Sequence, residues 1–139
     1  MSKENTSGFN PIFPQGEYNE AFQQYFTGLS FLAPLLNADI SIHNVTFEPG
    51  CRNNWHTHYS DGDFGQILLC ISGAGWFQEE GKPAQALHPG DVILIKPGVK
   101  HWHGAQKDSW FNHLAIMSTK EDVHNEWHEP VDDEHYNAL

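Results

Sequence analysis

The stretch GCRNNWHTHYSDGDFGQILLCISG, residues 50–73, holds the reading on which the fold turns. It opens on Gly50 after Glu48-Pro49, runs through Trp55-His56-Thr57-His58, breaks into turn formers over Tyr59–Asp63, and resumes as the apolar run Gln66–Ile71 before Ser72-Gly73. Short runs of β-branched and aromatic residues bounded by turn formers read as strands. Side chains alternate faces along a strand, so His56 and His58 project to the same side. The spacing returns at His101 and His103 within Lys100–His103, and a fifth histidine, His113, lies in the next run, Trp110–Met117. Imidazole is the commonest transition-metal ligand, and three strands that send imidazole towards one face define a candidate site in the mouth of a barrel.

Further runs lie around this stretch at Ile40–Phe47, Ala74–Gln78, Ala84–Leu87 and Val92–Ile95, separated by turn signals such as Glu79–Pro83, His88-Pro89-Gly90-Asp91 and Lys96-Pro97-Gly98. Turns recurring about every 8–12 residues predict an all-β antiparallel sandwich or barrel. No window over 40–117 sustains a helical apolar stripe. The expected organisation is one domain: a barrel core over 40–117, an N-terminal extension over 1–39 with one short strand near Phe26–Phe31, and a loose acidic tail over 118–139 with at most a helical turn near Glu121–Trp127.

The 139 residues carry 18 acidic side chains, 7 Lys+Arg and 10 histidines, for a formal charge of −11. The basic residues are scattered singly, which excludes a phosphate-backbone binder, and nucleic acid is not an expected partner. No apolar run is long enough for a membrane helix and the first residues lack a secretion-signal pattern, so the sequence predicts no membrane association and a cytoplasmic location. Cys51 and Cys70 form neither a disulfide framework nor a metal-type pair and are read as inert, reduced thiols. Residues 121–139 hold seven carboxylates and no Lys or Arg. Their three histidines, His124, His128 and His135, are read as solvated bystanders.

The remaining residues carry a resemblance. Gly50, His56-x-His58, Gln66 and Gly73 resemble the first motif of the cupins; Gly90, then Gly98 and His101, resemble the second. Thr46–Gly50, Trp55–His58, Gly65-Gln66, His88–Val92, Lys100–Ala105 and His113–Ile116 are most similar to small single-domain cupins of the cupin 2 type associated with carboxymuconolactone decarboxylase, and to cupin-type hydroxynitrile lyases. The resemblance implies a double-stranded β-helix, or jelly-roll, barrel. It also implies metal ligands His56, His58, Gln66 and His101, with His113 as a nearby base or hydrogen-bonding group. Asp63 stands at the usual acidic-ligand spacing from His58 and competes with Gln66, which is preferred because it begins an apolar run. His103 shares a face with His101, either lining the cavity or hydrogen-bonding behind the ligands. His43 faces the same interior if it follows Val45 and Phe47, although Ile40 and Ile42 claim the opposite face equally well.

Three imidazoles and a neutral amide leave a divalent ion its full 2+ charge, which favours an anion or developing oxyanion in the open positions. A mixed N,O set suits Mn or Fe first, then Co or Ni, with Zn less natural. The expected function is a metal-dependent lyase-type enzyme acting on a small molecule by C–C cleavage, decarboxylation or hydroxynitrile chemistry. An Fe(II) dioxygenase and a non-enzymatic small-molecule binder are the alternatives. Edge strands and surplus aromatics predict a homo-oligomer, a dimer or tetramer.

Overall fold

The computed structural model describes residues 12–120 and 122–139. Among these the strands are β1 (Glu17–Tyr18), β2 (Phe26–Thr27), β3 (Ser30–Asn37), β4 (Ile40–Phe47), β5 (Arg52–Asn53), β6 (His56–Tyr59) and β7 (Gln66–Gly73). They continue as β8 (Gly75–Glu79), β9 (Gln85–Leu87), β10 (Val92–Ile95), β11 (His101–Ala105), β12 (Phe111–Ser118) and β13 (His124–Trp127). One 3-10 segment spans Glu20–Tyr25, and a single α-helix, α1, spans Asp133–Asn137. The first sheet has the order β1-β3-β4-β12-β7-β10; the second runs β13-β6-β11-β5-β2, with β8 against β11 and β9 against β8. Among the described residues no helix is long and apolar enough to cross a membrane.

Alternation places the core between the sheets. Val45 and Phe47 of β4, Leu68 and Cys70 of β7, Ile95 of β10 and Phe111 and Ala115 of β12 meet Phe77, Leu87 and Ala105 of the second sheet. Burying each large member stabilises the fold by roughly 1.5–3 kcal/mol. Gly73 closes β7 with φ 79°, and a Cβ there would stand 1.8 Å from Trp110 O, so only glycine fits this turn.

The extension contains more sheet than its sequence suggests. Instead of one short strand, β1, β2 and the eight-residue β3 lie within 12–39; residues 1–11 fall outside the described part. Pro34 conceals β3. A proline lacks the N–H of a ladder bond, but β1 pairs only with Phe31 and Leu32, so β3 is an edge at Pro34, and its ladder to β4 shifts register between Pro34 and Leu36.

The tail is not loose. Its expected helical turn is instead β13, paired with β6 in the register Asn125↔His58 and Trp127↔His56. Beyond it, Asp132 caps α1 by accepting from His135 N at 2.7 Å. Val131 and Tyr136 bury against Trp102, with Trp55 and Trp76 at the margin. Tyr136 Oη donates to Ala105 O at 2.6 Å, and Arg52 Nη2 donates to Val131 O at 2.9 Å and Asp133 Oδ1 at 2.6 Å. Charge counting hides this because a few apolar anchors suffice to dock a segment whose carboxylates are used for capping and pairing. Nor are its histidines bystanders. His135 Nε2 lies 2.7 Å from Gln78 Oε1, His128 Nε2 lies 3.1 Å from Thr57 Oγ1, and the His124 ring stacks on Tyr59.

Candidate metal centre

Five histidines meet at one end of the barrel interior. β6 supplies His56 and His58, β11 supplies His101 and His103, and β12 supplies His113; all five are at most 3% exposed. His101 pairs directly with His56 across the β11–β6 ladder, which brings their ring centroids to 4.2 Å. His58 lies 4.9 Å from the His56 ring and 5.2 Å from that of His101, and His103 lies 5.4 Å from His56. One candidate ligand nitrogen from each of His56, His101 and His103 falls within 4.8 Å of the others, so these three could hold a metal ion.

The hydrogen bonds behind the rings decide which nitrogen faces inward. His56 Nδ1 donates to Asn54 O at 2.7 Å and His101 Nδ1 to Val99 O at 2.9 Å. His58 Nδ1 donates to Asn125 Oδ1 at 2.7 Å. With Nδ1 protonated, each Nε2 keeps its lone pair. His101 Nε2 is buried without a hydrogen-bond partner. Burial holds all five imidazoles below their ordinary pKa, His101 at about 3 and His113 at about 4, with neighbouring histidines lowering His56, His101 and His103 further. The cluster is therefore neutral near pH 7 and ready to donate lone pairs.

Gln66, first residue of β7, reaches the same space: its Oε1 lies 3.1 Å from His58 Nε2. Gly65 permits this approach, since a Cβ there would stand 2.9 Å from His58 Cβ. Asp63 is exposed in the β6–β7 loop, so Gln66 and not Asp63 faces the histidines. His113 Nε2 lies 3.0 Å from His103 Nδ1, and Asn53 Nδ2 lies 3.3 Å from the His103 ring nitrogens. His43 takes the inner face of β4 with Ser41 and Val45, which resolves the ambiguous periodicity of that strand. A cavity of about 200 Å³ opens over the cluster, with Phe22, Phe26, Leu32, Met117 and Trp127 on its walls.

Residues 43–116 match the family model described as the cupin domain, more than half of the chain. The chain belongs to the cupin family. This cupin is 42% identical over 116 residues to the (R)-mandelonitrile lyase of Granulicella tundricola, covering 81% of this chain and 86% of that protein. A crystal structure of a cupin-like protein from Thermotoga maritima superposes with a TM-score of 0.82 at 36% identity, covering 93% of this chain and 96% of that one. A cupin 2 conserved barrel domain protein from Rhodopseudomonas palustris, at 15% identity, TM-score 0.63 and coverage of 74% and 68%, shares the fold. The jelly-roll architecture and the cupin 2 type implied by the motifs are thereby shown.

The donor set of this cupin fits a divalent metal. Neutral nitrogens with free lone pairs, including the unpartnered Nε2 of His101, converge in a buried space. His58 Nε2 and Gln66 Oε1 are both acceptors and repel at 3.1 Å unless a cation lies between them. His56 and His101 belong both to the three-histidine group and to the set His56, His58, Gln66 and His101 that the motifs imply; His103 stands beside His56 on one flank, His58 and Gln66 on the other. Sequence reasoning missed Asn125, Trp127, Phe22 and Asn53. The alternation of Asn125 and Trp127 was a signal, masked by the surrounding acidic residues.

Proposed function

We propose that this cupin is a metal-dependent lyase that breaks the C–C bond of a small aromatic α-hydroxynitrile, releasing an aldehyde and hydrogen cyanide, and catalyses the reverse addition. The observation that carries it is the set of neutral histidines beneath an aromatic-walled cavity, in a chain 42% identical to a mandelonitrile lyase. A divalent ion held by His56, His101 and their neighbours would supply Lewis acidity for a substrate oxygen. Phe22, Phe26 and Trp127 offer faces to the substrate ring, and Trp127 is itself held by stacking on Tyr25, with centroids 4.4 Å apart.

In the cleavage direction a neutral imidazole on the cavity wall takes the hydroxyl proton. His113 is assigned this role, with His103 as its hydrogen-bonded partner at 3.0 Å and His43 on the neighbouring strand β4, also lining the cavity. The O–H electron pair becomes the second C–O bond, and the C–CN pair leaves on the cyanide carbon. Burial makes the resulting imidazolium a poor keeper of its proton, which passes to cyanide. Atoms and charge balance: one hydroxynitrile gives one aldehyde and one HCN. The test is cyanide release from mandelonitrile by metal-loaded protein. Release well above buffer, lost in His56→Ala, supports the reading; release equal to buffer with the metal bound overturns it.

The proposal includes a homo-oligomer. Leu94, Ile67, Ile116, Ile42 and Leu36 lie side by side across five strands of the first sheet, an uncharged apolar row. Such a row is self-complementary about a two-fold axis and, in a chain of formal charge −11, avoids the repulsion two copies meet elsewhere.

A further inference from the structure

His56, His101 and His58 each donate Nδ1–H to an oxygen and differ in what accepts it. His56 and His101 donate to the backbone carbonyls of Asn54 and Val99, at 2.7 and 2.9 Å, which no substitution removes. His58 donates to a side chain, Asn125 Oδ1, at 2.7 Å. That side chain arrives from the C-terminal segment, 67 residues away in sequence, because β13 adds to β6 in the register Asn125↔His58. Residues directly opposite on antiparallel strands have neighbouring side chains on one face, so the register by itself brings the amide to the ring.

We infer that Asn125 is a positioning residue for the metal centre: it holds His58 as the Nδ1–H tautomer, so that Nε2, 3.1 Å from Gln66 Oε1, presents its lone pair to the ion. The inference rests on the metal-binding part of the proposed function and assigns the acidic tail a role in it. Without Asn125 the ring is free to protonate Nε2 and donate to Gln66 Oε1, a tautomer that cannot ligate through that atom. An amide also suits this centre differently from a carboxylate. It orients the imidazole without adding negative charge, leaving the ion its full 2+ for a substrate oxygen.

The experiment compares wild type, Asn125→Ala and Asn125→Asp. Mn2+ affinity is measured by calorimetry on the metal-free full-length chain, and the His58 tautomer by nitrogen-15 NMR of the same metal-free protein. Loss of the partner is expected to weaken Mn2+ binding roughly 10- to 100-fold and to move His58 towards the Nε2–H form, with Asn125→Asp restoring both and the metal-free melting temperature separating this from unfolding. Unchanged affinity and tautomer in Asn125→Ala overturn the inference, as does a loss that Asp does not rescue. If wild type binds no Mn2+, the metal-based reading of function fails; the NMR measurement still decides whether Asn125 fixes the tautomer.

Discussion

His56 and His101 sit at the centre of the cluster, each with Nδ1 tied to a carbonyl and Nε2 turned inward. Substituting either with alanine is therefore expected to abolish stoichiometric metal binding, measured by elemental analysis after gel filtration. His113 behaves differently. Its ring touches His103 and not the carbonyl anchors, so His113→Gln is predicted to keep the metal while cyanide release falls by about 10²–10⁴-fold, the usual contribution of a general base. Metal loss in His113→Gln would instead make it a structural support of the ligands. Trp127→Ala removes an aromatic wall of the cavity. The expected result is a raised KM for an aromatic hydroxynitrile with little change for a small aliphatic one.

At the scale of elements, the strands bearing the motifs were legible because hydrophobic runs and turn formers agree there: Ile40–Phe47 and Val92–Ile95 match β4 and β10 end to end. Period 2 put His56 with His58 and His101 with His103 on shared faces; that these faces turn inward came with the barrel reading and the cupin resemblance. What the sequence obscured was structure held by few residues. β3 is interrupted by Pro34, and β13 and α1 lie among carboxylates that read as solvated. Asn125 escaped notice with them, since nothing local links it to His58. The docking of the tail makes its own prediction. Tyr136→Phe leaves Ala105 O without its donor at 2.6 Å, and an unsatisfied buried carbonyl costs about 1–3 kcal/mol. Denaturant unfolding should show that loss, and limited proteolysis should cut faster near α1.

Across the whole molecule, the buried histidines set the acid limit. An unfolded histidine titrates near 6.5, whereas His113 and His101 stay neutral in the fold down to about 4 and about 3. Between these values the unfolded chain binds protons that the folded chain does not. Stability of the metal-free protein is thus full above pH 6.5 and falls as pH drops towards 4, by up to about 1.4 kcal/mol per pH unit for each such histidine. Melting curves between pH 8 and pH 4 check this, and a melting temperature flat through that window would contradict the buried neutral cluster. The uncharged row across the first sheet predicts a mass at least twice 15.8 kDa by light scattering, reduced by Leu94→Lys. The most direct test of the central claim is a titration of metal-free protein with Mn2+ while cyanide release from mandelonitrile is recorded. The account predicts activity rising from the background rate in proportion to bound metal and levelling at about one ion per chain; activity already full in the metal-free protein, or absent at full metal occupancy, would contradict it.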